Sequence, residues 1–211
     1  MIILIGNQKG GAGKSTVTLL LGNYLVLVKN REVTVLDMDY QQSLYAKAEK
    51  AKIADNKPLY EVVPANLKDF PSLKELLVKS PKNIALIDLP GKMDDDDLLP
   101  VFQSADLILC PFSYDEFSVD STLLFAMVLK RINVSAPLAF IPNRVKGQVR
   151  YETKESVDKA LGKFGTVTPP VTERINFQRI NILSGIPLDL AGVIIPVFDT
   201  IYNNFIREEV P

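Results

Sequence analysis

Hydrophobic residues along this chain fall into short runs that alternate with longer segments of mixed polarity. Strands that are buried on both faces of a parallel sheet have such near-continuous apolar runs, because helices cover both sides of the sheet. The runs are IILI (2–5), VTVLD (33–37), IALID (84–88), LILCPF (107–112) and LAFIPN (138–143). The segments between them predict helices over 14–29, 41–52, 66–79, 97–104, 114–132 and 152–163. This alternation predicts an α/β fold, a doubly wound and mostly parallel sheet with helices on both faces.

The length of the chain is typical of a single domain. Its 211 residues are enough to bury one full hydrophobic core, and no internal repeat or low-complexity linker divides it. The first predicted strand begins at residue 2, which leaves no room for an N-terminal DNA-binding domain. We therefore expect one domain over residues 1–211.

The composition argues against several kinds of chemistry. The chain has no histidine and a single cysteine, Cys110, which lies within an apolar run. These counts exclude an internal disulfide and imidazole catalysis, and they argue against a zinc or iron–sulfur centre. The N-terminal sequence MIILIG lacks the basic flank of a signal peptide, and no apolar stretch reaches the length of a membrane span. We expect a cytoplasmic protein.

The residues that follow the first strand have the pattern of a phosphate-binding loop. The segment QKGGAGKST (8–16) lies between an apolar strand and a helical segment, which is the context that a Walker A loop requires. Lys14 would neutralise the β- and γ-phosphates, the Ser15 hydroxyl would bind Mg²⁺, and Thr16 would reach the α-phosphate. A structural glycine turn is the competing interpretation, and the strand–loop–helix context disfavours it. Small residues let backbone N–H groups close around the phosphates, and here they are Gly10, Gly11, Ala12 and Gly13.

Asp88 ends the strand IALID and is the candidate for the second half of the site. A carboxylate at this position suits a Walker B residue that holds Mg²⁺ through water. Pro90 and Gly91 would then form a mobile segment near the γ-phosphate. Taken alone, an aspartate that caps a loop explains Asp88 better, but its pairing with a phosphate loop favours the magnesium role.

Lys9 is an additional lysine that the usual Walker A pattern lacks. Within its own loop it would crowd a second ammonium group against Lys14 at the same phosphates. If it points outward, it can reach a nucleotide held by another subunit and stabilise charge on the transferred phosphoryl group. Lys9 therefore predicts an ATP-dependent homodimer with nucleotide sandwiched between subunits.

These motifs resemble those of the ParA/MinD family of deviant Walker A ATPases, and most closely the small plasmid-type ParA proteins. KGGAGKST (9–16) resembles the family signature, VTVLDMDYQQSL its D-x-D-P-Q strand, and ALIDLPG its D-x-P-P switch. TERINFQRINILSGIPL resembles a late segment that runs from an arginine to G-x-P. Together the motifs span nearly the whole chain. Tyr40 and Gly91 replace the prolines of the second and third motifs, which leaves the switch conformations open.

The resemblance implies an ATPase that dimerises when it binds ATP and hydrolyses it slowly until a partner stimulates it. By position, Lys9 is the signature lysine and Lys14 the phosphate-loop lysine. Asp39 matches the residue that orients the attacking water, and Asp88 the carboxylate on the magnesium side. Asn143 stands where the family often reads adenine, although a polar strand end explains it nearly as well.

Charge is distributed unevenly along the chain. Residues 84–128 contain nine acidic residues and one basic residue, whereas residues 129–179 contain ten Lys or Arg residues and four Asp or Glu residues. The basic sector is a candidate polyanion-binding face, and a solvated surface is the alternative. The resemblance places Arg174 where family members contact DNA nonspecifically. Further candidates in this sector are Lys130, Arg131, Arg144, Lys146, Arg150 and Arg179.

Three functions compete for this chain. The first is a Mg-ATP-dependent ATPase that binds DNA nonspecifically and segregates plasmids with a small DNA-binding adaptor similar to ParB, on the nucleoid when ATP is bound. The second is a MinD-like membrane-positioning ATPase, which requires a basic amphipathic C-terminal helix. This chain ends FDTIYNNFIREEVP, where Glu208 and Glu209 outnumber Arg207, so we expect no membrane partner. The third is a metabolic ligase or synthetase on the same scaffold, although a sandwich dimer explains Lys9 better.

Overall fold

Strands and helices alternate along the chain as the hydrophobic pattern predicts. The computed structural model describes residues 1–53, 57–80 and 82–207. The strands are β1 (Ile2–Ile5), β2 (Glu32–Asp37), β3 (Glu61–Pro64), β4 (Asn83–Asp88), β5 (Leu107–Phe112), β6 (Leu138–Pro142) and β7 (Thr166–Val167). The helices are α1 (Lys14–Leu27), α2 (Ser43–Ile53), α3 (Phe70–Val78), α4 (Leu98–Gln103), α5 (Glu116–Ile132), α6 (Lys154–Leu161) and α7 (Leu188–Ile201).

Within the described residues, the strands form one sheet in the order β3-β2-β4-β1-β5-β6-β7. Every strand pair in this order is parallel. The chain leaves β1 toward β2 on one side, and it later returns to β5 on the other side of β1. In such sheets a ligand binds outside the carboxyl ends of the strands where the direction of winding reverses. The expected doubly wound α/β fold is confirmed, and the reversal lies at β1.

Hydrophobic side chains of the sheet pack into two cores, one on each face. Ile3 and Ile5 of β1 are fully buried on the face that α1, α2 and α7 cover. Ile2 and Leu4 of the same strand point to the other face, where they pack with residues of α3, α4, α5 and α6. Burial on both faces explains why the strands have continuous rather than alternating apolar runs.

Three elements have no counterpart among the predicted ones, namely β3, β7 and α7. The two strands are short and lie at the edges of the sheet, so their sequences have no long apolar run. Helix α7 contains Pro196, which disfavours a helix in isolation. Its residues Leu190, Ile194, Val197, Phe198 and Ile201 are nevertheless buried, so packing against the sheet outweighs the local cost. No helix in the described part of the chain combines the length and apolar character needed to cross a lipid bilayer.

Candidate nucleotide-binding site

A cavity of about 650 Å³ opens beside the loop that joins β1 to α1. Its volume is within the usual range of about 300–1,000 Å³ for small-molecule sites. The β1–α1 loop, the loop after β2 and the segment after β4 contribute most of its wall. The lining residues are Gln8, Gly10, Gly11, Gly13, Lys14, Ser15, Thr16, Asp39, Tyr40, Gln41, Ser43, Gly91, Lys92 and Arg144.

Asn7 anchors the base of the predicted phosphate loop. Its side chain is fully buried, and its Nδ2 donates to the Pro111 carbonyl and to the Thr122 hydroxyl, each at 2.8 Å. Its Oδ1 accepts a hydrogen bond from the Lys9 backbone N–H at 3.0 Å. These bonds hold the start of the loop against β5 and α5. The sequence motif did not point to this residue.

Gly13 lies at the N-cap of α1 with a φ of 92°, in the left-handed region that favours glycine. A Cβ atom at this position would overlap the side-chain amide nitrogen of Asn143. No side chain caps this end of α1 within the described residues. The first N–H groups of the helix, beginning at Lys14, are therefore available to an anion such as phosphate.

Lys14 extends beneath the loop and is only 8% exposed. Burial lowers the pKa of its ammonium group, while the nearby carboxylates of Asp88 and Asp39 act in the opposite direction. A side chain at Gly91, on the segment after β4, would begin 3.7 Å from Lys14 Nζ. A cation held in this way can neutralise a bound phosphate with little rearrangement.

Asp88 is 1% exposed and lies beside two hydroxyl groups of α1. Thr18 Oγ1 donates to Asp88 Oδ1 at 3.2 Å, and the Ser15 hydroxyl lies near the same carboxyl group. Burial raises the Asp88 pKa to about 7, and the negative charge of nearby Asp37 contributes to the increase. The Ser15 hydroxyl acts in the opposite direction and lowers the Asp88 pKa.

The same surroundings fit the magnesium ion that the sequence implies. Among the described residues, no donor contacts Asp88 Oδ2, although this atom is buried. A carboxylate oxygen with free lone pairs, close to the Ser15 hydroxyl, is the oxygen ligand set that Mg²⁺ prefers. Thr18 was absent from the predicted site. Its position four residues after Lys14, on the same side of α1, was the available signal.

The two aspartates at the carboxyl end of β2, Asp37 and Asp39, have different roles. Asp37 is fully buried, and its Oδ2 accepts hydrogen bonds from the backbone N–H groups of Leu44 and Tyr45, both at 2.9 Å. It therefore supports the first turn of α2. Asp39 lines the cavity, and its Oδ1 accepts a hydrogen bond from the Gln41 N–H at 2.9 Å.

A second cavity, of about 360 Å³, adjoins the first at Thr16. Asn143 lines it, but the Asn143 side chain already has protein partners. Its Nδ2 donates to the Ala12 carbonyl at 2.8 Å, and its Oδ1 accepts from the Arg144 N–H at 2.9 Å. The base-reading role of Asn143 therefore stays a prediction, and its observed role is to support the loop. The other lining residues are Gly13, Lys47, Arg144, Glu173, Arg174, Phe177 and Gln178.

Lys9 points toward α5 at the outside of the molecule. Its Nζ lies 5.6 Å from the centre of the Phe117 ring, within the range of a cation–π interaction. The Phe117 side chain is 75% exposed. Lys9 and Lys14 therefore leave the same loop in different directions, one toward the surface and one toward the interior.

The candidate DNA-binding residues Lys146, Arg150 and Arg174 come from two segments that lie side by side. Val145 donates its N–H to the Val171 carbonyl at 3.1 Å and accepts at its own carbonyl from the Glu173 N–H at 2.9 Å. All three basic side chains are exposed. Arg174 also lines the second cavity, so this basic surface adjoins the candidate nucleotide site.

Lys130 and Arg131 do not belong to this surface. They lie in the last turn of α5, which precedes the amino end of β6, whereas the loop with Lys146 follows its carboxyl end. Lys130 Nζ donates to the Ala136 carbonyl at 3.1 Å. The basic sector of the sequence (129–179) is thus divided between opposite edges of the sheet.

The fold and the cavity define a nucleotide-binding domain of the phosphate-loop type. Residues 3–196 match the sequence model of CbiA, the CobQ/CobB/MinD/ParA nucleotide binding domain, and the chain belongs to this family.

The chain is similar to proteins whose names refer to plasmid partition and to cell division. Protein ParA of Rhizobium radiobacter is 25% identical over 188 residues, which cover 85% of this chain and 81% of ParA. A putative plasmid partition protein of Borrelia burgdorferi bound to AMPPNP has a TM-score of 0.70 at 22% identity, over 96% of this chain and 98% of that one. The cell division ATPase MinD of Pyrococcus furiosus has a TM-score of 0.73 at 21% identity, again over 96% and 98% of the chains. The predicted ParA/MinD relationship is therefore confirmed.

Proposed function

We propose that this protein is a ParA-type ATPase that uses Mg-ATP to form a dimer and to segregate plasmids or other DNA. The observation that carries the proposal is the buried pair of Lys14 and Asp88 beneath the open N-terminus of α1. The similarity to plasmid partition proteins, one of them bound to AMPPNP, supports the same conclusion. We further propose that residues 1–211 act as one ATPase domain.

In this proposal the chain binds the triphosphate with backbone N–H groups of residues 10–16 and with Lys14. Ser15 and Asp88, the latter through water, would hold Mg²⁺, and the ion would supply positive charge beside the phosphates. Asp39 lines the same cavity and orients the attacking water. The base occupies the second cavity beyond Thr16, where Asn143 also lies.

The direction of the Lys9 side chain supports the proposed dimer. Its ammonium group sits at the outer surface of α5, beside an exposed ring, and not in the cavity of its own subunit. From this position it can reach a nucleotide held by a second copy of the chain. A lysine supplied in this way stabilises negative charge on the transferred phosphoryl group.

The DNA-binding surface consists of Lys146, Arg150 and Arg174 in this proposal. Side chains of this kind contact phosphates and read no base sequence, so binding is nonspecific and depends on salt. The dimer doubles the number of contacts, which makes binding depend on ATP. A small DNA-binding adaptor similar to ParB stimulates hydrolysis and releases the dimer.

Membrane positioning in the manner of MinD is the second candidate, because the fold resembles MinD as closely as it resembles partition proteins. The acidic tail that argued against a membrane-binding helix includes Glu208 and Glu209, which lie outside the described residues. Vesicles of anionic lipid therefore belong in the test beside DNA. ATP-dependent binding to vesicles without DNA binding would favour the MinD-like function.

The test of the proposed function is a titration of nonspecific duplex DNA with ATP, with ADP and without nucleotide, at two salt concentrations. We expect binding only with ATP and a steep loss of affinity at the higher salt concentration, because binding releases counterions from DNA. Arg174→Ala should weaken binding to all sequences by a similar factor. Its affinity for ATP is measured in parallel, because Arg174 also borders the second cavity.

Lys14→Ala provides the nucleotide control for this titration. The variant should lose ATP binding, since phosphate charge in a buried site would have no cation beside it, and it should therefore fail to bind DNA. Lys82→Ala removes an exposed lysine outside both cavities and should behave like the wild type. Equal DNA binding in all nucleotide states, or none with ATP at low salt, contradicts the proposed function.

A further inference from the structure

Tyr40 connects the two segments that form one wall of the first cavity. Its hydroxyl group donates a hydrogen bond to Asp95 Oδ2 at 2.9 Å. Tyr40 belongs to the β2–α2 loop (38–42), and Asp95 belongs to the β4–α4 segment (89–97). The Tyr40 side chain is 64% exposed and lies between the first cavity and a further cavity of about 350 Å³. Packing alone therefore does not hold its ring.

Asp95 is a firmly held partner for this bond. Its Oδ1 accepts a hydrogen bond from the Asp97 N–H at 2.9 Å, and its backbone carbonyl accepts from the Leu98 N–H at 3.1 Å. Leu98 begins α4 and is buried in the core. The hydrogen bond to Asp95 raises the Tyr40 pKa, so the hydroxyl keeps its proton and remains a donor.

The other end of the contact belongs to a compact turn that contains Asp39. Asp39 Oδ1 accepts from the Gln41 N–H and its carbonyl accepts from the Gln42 N–H, each at 2.9 Å. Tyr40 lies within this turn, so its hydrogen bond to Asp95 restrains the turn, and with it the Asp39 carboxylate, relative to the β4–α4 segment.

We propose that Tyr40 is a positioning residue for hydrolysis, which holds the Asp39 turn to the start of α4 through its hydrogen bond to Asp95. The proposal rests on the proposed ATPase function and assigns Tyr40 no contact with substrate. It concerns this chain in particular, because Tyr40 stands where the motif that it resembles has proline. The contact acts on kcat and not on nucleotide affinity, since Lys14 and the phosphate loop are not part of it.

The experiment compares Tyr40→Phe, Asp95→Ala, the double variant and Asp96→Ala. Tyr40→Phe keeps the ring and removes only the donor. Asp96 is an exposed residue of the same acidic run, but the Tyr40 hydroxyl donates its hydrogen bond to Asp95 and not to Asp96. Asp96→Ala is therefore the matched control. We expect kcat to fall about fivefold in Tyr40→Phe, equivalent to about 1 kcal/mol, with KM for ATP unchanged. The double variant should lose no more than Asp95→Ala alone.

Amide hydrogen exchange of the nucleotide-free protein gives a second readout that does not depend on hydrolysis. Tyr40→Phe and Asp95→Ala should each increase exchange in both residues 38–42 and residues 89–97, whereas Asp96→Ala should not. Unchanged kcat in Tyr40→Phe, an equal effect of Asp96→Ala, or additive losses would overturn the inference. If the wild-type protein hydrolyses no ATP, the proposed function is wrong. In that case amide exchange alone tests the contact between Tyr40 and Asp95, and unchanged exchange in Tyr40→Phe would refute it.

Discussion

At the scale of single residues, the candidate site depends on charges held away from water. Asp88 has a pKa of about 7 because burial disfavours its charged form. Burial also lowers the Lys14 pKa, although the two neighbouring carboxylates oppose the change. In the nucleotide-free protein, burial therefore disfavours the charged form of both groups. In the proposed function, bound phosphate would add negative charge beside Lys14, and Mg²⁺ would add positive charge beside Asp88.

The Asp88 carboxyl group should make the stability of the nucleotide-free protein depend on pH. Its pKa is about 7 in the folded state and 3.8 as a reference for the unfolded chain, so the folded state binds the proton more tightly. This contribution to stability is complete below about pH 4 and is lost as pH rises to about 7. Urea unfolding in EDTA should therefore show a smaller free energy of unfolding at about pH 8 than at about pH 5.

Asp88→Asn is the variant that isolates this effect. An amide does not titrate, so the decrease in stability between about pH 5 and about pH 8 should be smaller in the variant than in the wild type. Carboxylates that do not interact with Asp88 contribute equally to both proteins and cancel in the comparison. Parallel pH profiles for the two proteins would show that Asp88 has an ordinary pKa.

At the scale of secondary structure, the junction between β2 and α2 shows how one side chain joins two elements. The last residue of β2, Asp37, accepts two backbone hydrogen bonds from the first turn of α2. The chain between them carries Asp39 and Tyr40 into the cavity wall. Asp37 thus joins the end of β2 to the start of α2, and Asp39 lies in the part of the loop that faces the cavity.

Asp37→Ala should destabilise the fold, whereas Asp39→Ala should not. Loss of the Asp37 carboxylate leaves the N–H groups of Leu44 and Tyr45 without their acceptor, at a cost of about 2 kcal/mol. Asp39 accepts one bond from a half-exposed turn, so its removal should change the free energy of unfolding by less than about 0.5 kcal/mol. Chemical unfolding of both variants tests the difference, and equal destabilisation would refute the division of roles.

At the scale of the whole molecule, the direction of Lys9 bears on assembly. The buried side of the phosphate loop has one lysine, Lys14, and the exposed side has the other. In the proposed dimer, a nucleotide bound in the cavity would receive a second cation, Lys9, from the neighbouring subunit. The basic surface next to the second cavity would be duplicated in the same dimer.

Two variants should separate dimerisation from hydrolysis. Asp39→Ala should bind ATP and accumulate as a dimer, because only the positioning of water is lost. Lys9→Ala should bind nucleotide but fail to hydrolyse it, since charge on the transferred phosphoryl group has no cation in trans. Light scattering with ATP and with ADP measures the assembly, and a wild type that stays monomeric in every nucleotide state is incompatible with the sandwich dimer.

Local patterns in the sequence were sufficient to predict the features that depend on residues close together in the chain. Buried strands β1, β2, β4, β5 and β6 were recognisable because a strand covered on both faces needs consecutive apolar residues. The phosphate loop was recognisable because its glycines and Lys14 act through neighbouring backbone groups. Family membership followed from the same local motifs.

The sequence could not reveal which polar side chains already have hydrogen-bond partners within the protein and which face the cavity. These relationships depend on the tertiary structure. Asn143 is 131 positions from Ala12, whose carbonyl it binds, so no local pattern could reveal that partner. The same holds for Tyr40 and Asp95, which are 55 positions apart, and for the contact of Lys9 with the Phe117 ring. Edge strands and α7 also depended on packing, because distant apolar surface stabilises them against weak local preferences. Local sequence selects the conformation of a segment, whereas the fold alone brings distant side chains within bonding distance.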